Sequence, residues 1–207
     1  MLIRNFVVFE GGDGSGTTTQ LGLLRGRFGG AGGPHLHGTF EPTDGSVGKL
    51  IRSILTGADS VHPETLARLF AADRSEHLYG PGGIIERVAQ GDLVISDRYI
   101  LSSLVYQGIT CGEKLPGALN ADFPLPETML FFDIDPEIAV RRVEKRGNPD
   151  MYEYLDFQRQ VRKQYLSLLP GYADRGVRIA IIDAAMPPEQ TASAVWQELQ
   201  NLPILKA

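Results

Sequence analysis

Phe6-Val7-Val8-Phe9-Glu10-Gly11-Gly12-Asp13-Gly14-Ser15-Gly16-Thr17-Thr18-Thr19-Gln20 decides how the rest of the chain is read. Its first four residues are aromatic or β-branched and read as a buried strand, the glycines as a tight turn, and Thr18 to Phe28 as a helix. Strand, glycine-rich turn and helix form a phosphate-binding loop when the spacing is G-x-x-x-x-G-K-[ST]. Gly11 and Gly16 keep that spacing and Thr18 keeps the hydroxyl that such loops offer to Mg²⁺, but Thr17 stands where the lysine belongs. Glycines let backbone N–H groups turn inward, and a helix N-terminus favours negative charge at the same point. Gly11, Gly12, Gly14, Ser15, Gly16, Thr17, Thr18 and Thr19 are therefore the candidate cradle for a nucleotide's phosphates. The lysine normally follows the β and γ phosphates during transfer. Without it the loop implies binding rather than catalysis, and a glycine-rich turn that binds nothing is the alternative.

The whole chain narrows the setting. At 207 residues it is expected to form one domain, 1–207, large enough to bury a core without disulfides. A formal charge of −5 gives no electrostatic case for nucleic acid or an anionic membrane, so an anionic ligand must be held by local arginines. The apolar runs are strand-length, the N-terminus lacks a signal pattern, and the single Cys111 cannot form an internal disulfide. A cytoplasmic protein is the expectation.

Apolar runs at 3–10, 35–40, 93–96, 128–134 and 177–182 read as strands. Helix-like stretches at 16–29, 45–56, 63–90, 100–107, 136–146, 154–174 and 188–200 separate them. This alternation predicts an α/β chain, a three-layer α/β/α fold with a five-stranded parallel sheet flanked by helices. Residues 80–83 read as a turn or a helix break, and 111–126, rich in Gly and Pro, as a surface loop. Ligands of such sheets bind beyond the carboxyl ends of the strands.

Four further segments fall at those ends or on the helices after them: Phe40-Glu41-Pro42, Leu69-Phe70-Ala71-Ala72-Asp73-Arg74, Asp97-Arg98-Tyr99, and Ser-Ser-Leu-Val-Tyr-Gln-Gly from Ser102 to Gly108. Asp97 and Arg98 leave an apolar strand beside the loop, an acid for Mg²⁺ water and a planar fork for a transferring phosphate. An Asp-Arg pair that only closes the strand is the alternative. Phe70 and Arg74, four apart, share a helix face on which a ring can stack on a base while a guanidinium reaches its edge or its phosphate. Here a core phenylalanine is the alternative.

Together with the loop, these segments resemble the thymidylate kinase family, P-loop nucleoside monophosphate kinases that phosphorylate dTMP to dTDP with ATP and Mg²⁺. The resemblance spans essentially the whole chain. It implies catalytic roles for Asp13, Asp97 and Arg98, with Thr18 and Asp97 toward Mg²⁺ and Arg142 as a candidate to stack on adenine. Asp13 would accept from the sugar 3′-hydroxyl, Arg98 would hold the dTMP phosphate, and Phe70 would stack on thymine. Arg74 and Gln107 would hydrogen-bond the edge of the base, with Ser102 near it and Glu41 at the rim. Tyr152, in a small lid at about 147–154, would lie over the deoxyribose or simply pack the lid. A homodimer is implied as well.

The chain departs from the family at the cations. Its members neutralise the transferring phosphate with the loop lysine and with an arginine from the loop or the lid; here Thr17, Gly14 and Met151 hold those places. Losing such an arginine costs about three to five powers of ten in rate. Lys145, Arg146, Arg141, Arg142, Arg159 and Arg162 are candidate substitutes, a bound cation is another, and a solvated helix face is the alternative for the cluster. Three readings stay open: a dTMP kinase, slow for want of those charges; an impaired nucleotide-binding protein that retains the dTMP pocket; and, fitting less well because Arg74 and Arg98 offer two phosphate contacts, a nucleoside kinase.

Overall fold

Strand β1 (Leu2–Gly11) lies at the middle of the sheet because it is apolar on both faces, with Phe6, Val7, Val8 and Phe9 all buried. The computed structural model describes residues 1–28, 34–145 and 154–206. Around β1 stand β2 (Leu36–Phe40), β3 (Leu93–Asp97), β4 (Leu125–Asp133) and β5 (Arg178–Asp183), all parallel in the order β2-β3-β1-β4-β5. The predicted five-stranded sheet is the one observed.

Successive side chains of the strands feed two cores. Phe6, Val8, Met129 and Phe131 pack on one face with Tyr165 and Leu101, whereas Val7, Phe9, Leu130 and Phe132 pack on the other with Leu21 and Val195. Helices α1 (Thr17–Arg25), α2 (Ser46–Leu55), α3 (Pro63–Tyr79), α4 (Ile84–Ala89), α5 (Ile100–Cys111), α6 (Lys114–Asn120), α7 (Pro136–Glu144), α8 (Leu155–Asp174) and α9 (Pro188–Leu199) connect or follow the strands. No helix among the described residues is long and apolar enough to cross a membrane.

The stretch 63–90 is two helices, interrupted at the expected break 80–83: Gly80 turns extended after α3 and Pro81 cannot continue a helix, so α4 starts afresh at Ile84. One segment differs from expectation. The stretch 111–126 is not a surface loop: it forms α6, then enters β4, with Pro116, Asn120 and Leu125 buried. Pro116 sits in the first turn of α6, where a missing N–H leaves no bond unmade. Its composition concealed that helix.

The chain passes from β1 to strands on either side of it, so the sheet order switches at the carboxyl end of β1, where the crevice of an open parallel sheet lies. The glycine-rich loop emerges into that crevice.

Candidate active site

Between β1 and α1 the loop folds over on itself, with the Ser15 N–H donating to the Gly12 carbonyl at 3.2 Å. Gly14 and Gly16 take φ of 82° and 90°, the left-handed region. A Cβ on Gly14 would stand 2.5 Å from the Ala139 carbonyl of α7, so space as well as conformation requires glycine there. A cavity of about 470 Å³ opens over the loop, walled by residues 12–20 and closed by Arg98, Arg142, Ala184 and Met186. Thr17 is only 7% exposed in its floor.

The register Phe9↔Asp97 sets the end of β3 beside the loop. There Thr18 Oγ1 donates to Asp97 Oδ2 at 2.5 Å, and Asp97 Oδ1 is buried without a hydrogen-bond partner among the described residues. A hydroxyl and a carboxylate with a spare oxygen are the hard donors that Mg²⁺ takes alongside phosphate oxygens and water. No cluster of three or more His, Cys, Asp or Glu among the described residues forms a metal cage by itself. The donor set therefore suits Mg²⁺ carried with a nucleotide.

A second cavity, of about 150 Å³, adjoins the first, and Asp13 and Arg98 line both. Arg98 has φ 74°, unusual for a side chain with a Cβ, and its backbone is held by its N–H donating to Phe9 O at 2.8 Å and by Ser96 Oγ donating to its carbonyl at 2.8 Å. Its guanidinium donates to Asp13 Oδ1 at 2.5 Å, Gly11 O at 3.1 Å and Ser102 Oγ at 3.3 Å, and lies 5.1 Å from the centre of the Tyr106 ring. Burial works against its charge, but the facing Tyr106 and Asp13 hold its pKa well above the ordinary arginine value.

Phe70, Arg74, Glu41, Ser102 and Gln107 line the second cavity. Phe70 is half-buried and backs onto the core. Arg74 is 1% exposed: its terminal nitrogens donate to Asn120 Oδ1, Glu41 Oε2 (2.6 Å), Tyr99 O (3.0 Å) and Ser103 Oγ (3.1 Å), leaving Nε without a partner among the described residues. Gln107 is buried in the wall, with Oε1 likewise unpartnered there. Beside Glu41, Thr43 donates through its N–H and hydroxyl to Asp73 at 2.7 and 2.6 Å, which pins the loop after β2 to α3.

Beneath this wall lies a buried network that sequence reasoning missed. Glu10 accepts from Ser102 Oγ (2.6 Å), Tyr165 Oη (3.1 Å) and the N–H groups of Tyr99 (3.1 Å) and Ser102 (3.3 Å), so a strand carboxylate caps the N-terminus of α5. Burial raises its pKa, against the opposing pull of the Ser102 hydroxyl and the Arg98 charge. Tyr106 Oη and Gln158 Nε2 donate to Asp13 Oδ2 at 2.9 and 2.8 Å. Burial pushes the Tyr106 hydroxyl up too, so it remains protonated as a donor. An ionisable residue ending an apolar strand was the available signal for Glu10; Gln158 carried none.

Of the candidate substitute cations, Arg142 alone among the described residues lines the larger cavity, donating to Ala184 O at 2.9 Å. Arg159 is paired with Glu137 and Asp156 in solvent, and Arg162 forms a two-pronged pair with Asp133 at 2.7 and 2.9 Å. Arg141 and Lys145 are exposed. Arg146, Met151, Tyr152 and most of the expected lid lie outside the described residues.

A glycine loop at a sheet switch point, with two cavities meeting at one arginine, defines a P-loop phosphotransferase of the nucleoside monophosphate kinase class. The family model described as thymidylate kinase matches residues 9–195. The chain is 40% identical over 198 residues to the "Probable thymidylate kinase" of Pyrobaculum aerophilum, covering 95% of this chain and 97% of that protein. It is 34% identical over 205 residues to that of Methanocaldococcus jannaschii, covering 98% and 100%. A Treponema pallidum protein named for the same activity is 46% identical over 165 residues, 79% of this chain and 78% of its own length. The chain belongs to the thymidylate kinase family.

Proposed function

We propose that this protein transfers the γ-phosphate of ATP to dTMP, with ATP over the glycine loop and dTMP in the adjoining cavity. The observation that carries this reading is the shared wall: Asp13 and Arg98 line both cavities, so two nucleotides would meet phosphate to phosphate at a single guanidinium. Positioning two anions across an arginine is most of what such a transfer requires.

In the acceptor cavity Phe70 stacks on thymine, Gln107 and the Arg74 Nε meet the edge of the base, and Ser102 and Glu41 complete the wall. Arg98 holds the acceptor phosphate and Asp13 orients the sugar. In the donor cavity the loop around Gly11, Gly12 and the stretch from Gly14 to Thr19 holds the phosphates, Arg142 flanks the adenine, and Thr18 and Asp97 would hold Mg²⁺. Bound there, Mg²⁺ supplies positive charge to the β and γ phosphates. Tyr152, outside the described residues, is proposed to cover the deoxyribose.

The protein is proposed to be a single-domain cytoplasmic enzyme that acts as a homodimer and does not bind nucleic acid or membrane. Exposed Leu50, Tyr79 and Ile85 on α2 to α4 support the dimer, and the acidic balance supports the small-molecule assignment. A coupled assay of dTDP formation with ATP, Mg²⁺ and dTMP tests the activity, with thymidine as the control acceptor. Turnover of dTMP alone is expected; binding of dTMP without product would return the impaired binder as the better reading.

A further inference from the structure

We propose that Gln158 is a positioning residue for the acceptor nucleotide: its amide grips Asp13 at both its backbone and its carboxylate, fixing the direction in which that carboxylate faces the second cavity. The inference rests on reading that cavity as the dTMP site.

Gln158 Nε2 donates to Asp13 Oδ2 at 2.8 Å while Gln158 Oε1 accepts from the Asp13 N–H at 3.2 Å. Only a side chain with a donor and an acceptor on one planar group can make both contacts; a carboxylate would only accept and an ammonium would only donate. The approach is built into the fold. Gln158 is 3% exposed, and a Cβ on Gly12 would stand 2.9 Å from its Oε1, so this glycine opens the gap through which α8 reaches the loop. Asp13 Oδ1 accepts from Arg98 and Oδ2 also from Tyr106, so donors from three separate elements converge on one carboxylate. Tyr165, seven residues further along α8 and on the same face, meets Ser102 and Glu10 beneath the wall of the acceptor cavity. One helix thus supports two residues of that wall, Asp13 and Ser102. The Asp13 N–H taken by Gln158 is also withdrawn from the set that can face a phosphate, which gives the loop a defined shape before any ligand arrives.

The test compares wild type, Gln158→Ala, Gln158→Glu and, as a control on α8 away from the loop, Gln164→Ala, whose side chain meets Glu113. Gln158→Ala is expected to raise KM for dTMP about tenfold while KM for ATP stays within about twofold, since one of the two lost bonds goes to a charged carboxylate. In Gln158→Glu a second carboxylate faces Asp13, and like charges raise the pKa of one of the pair. Its activity relative to wild type should climb as pH falls, because the protonated carboxyl regains a donor. In ligand-free protein, amide exchange in the peptide spanning residues 11–16 should quicken in Gln158→Ala and not in Gln164→Ala. An unchanged KM for dTMP, a parallel rise in both KM values with a lower melting temperature, or unchanged loop exchange would overturn the proposal. The exchange needs no substrate: if wild type makes no dTDP yet the loop still loosens in Gln158→Ala, the grip on Asp13 stands and the dTMP reading falls.

Discussion

Arg98 and Asp13 meet at 2.5 Å in the wall common to the two cavities. In this arrangement the guanidinium is held ready beside the loop, and an arriving phosphate competes with Asp13 for it. Arg98→Ala is expected to lower kcat by about three to five powers of ten, the range measured for arginines that neutralise a transferring phosphate. Arg98→Lys should recover little, since an ammonium cannot reach Gly11, Asp13 and Ser102 from one planar group. Single-turnover kinetics with both nucleotides bound check this.

The bond from Thr18 to Asp97 joins the start of α1 to the end of β3. Thr18→Ala should raise the Mg²⁺ concentration for half-maximal rate about tenfold, with Asp97→Asn at least as severe, because each removes an oxygen that the hard cation uses. A Mg²⁺ titration of turnover at fixed ATP decides it; an unchanged midpoint would assign the pair a purely structural role.

Thr17 lies in the floor of the donor cavity, and Arg98 and Arg142 are the cations that line that cavity among the described residues. Thr17→Lys is expected to raise kcat, by about tenfold for each 1.4 kcal/mol of added transition-state stabilisation. No gain, or a loss, would mean that the missing charge is already supplied from elsewhere in the closed enzyme. Steady-state rates of the two proteins compared at equal Mg²⁺ suffice.

Arg74 and Glu41 form an ion pair with side chains 1% and 2% exposed, and His77 Nδ1 lies 3.1 Å from the other Glu41 oxygen. Glu41→Ala strands a buried guanidinium and should cost about 3–5 kcal/mol of stability. Replacing both members by apolar residues of similar size should cost less than the single truncation, by the same reasoning. Urea unfolding of the two variants gives the comparison.

Glu10 supplies a pH dependence whose sign follows from its raised pKa. The folded state binds the proton more tightly than the unfolded chain, so the contribution is present in full below the ordinary carboxylate range and is lost as pH rises through the folded pKa. Glu10→Gln cannot ionise and should show a flatter stability profile across that window. Denaturation midpoints taken from acid to neutral pH in both proteins would reveal equal slopes if Glu10 were not the titrating group.

The strands were legible because a sheet covered on both faces demands unbroken apolar runs, as in Phe6 to Phe9 and Met129 to Phe132. The loop was legible because its glycines are dictated by backbone conformation and space. The helix α6 was not, since Gly117 and Pro116 dominate its local signal while a contact that anchors it, from Arg74 to Asn120, comes from forty-six residues away. Gln158 and Tyr165 were illegible for the same reason: their partners, Asp13 and Ser102, lie 145 and 63 residues distant, and nothing near them in sequence marks the contact. Position along one chain reveals what a residue does to its own backbone, and much less about what it does for another element.

That a single guanidinium borders both cavities has a thermodynamic corollary. Occupation of either cavity alters the partners open to Arg98, so the two binding equilibria are linked, and the factor by which one nucleotide changes the other's dissociation constant must be the same in both directions. A compound that fills both cavities at once would have to satisfy Arg98 once, not twice, and so would keep only one of the two contacts that its halves make there separately.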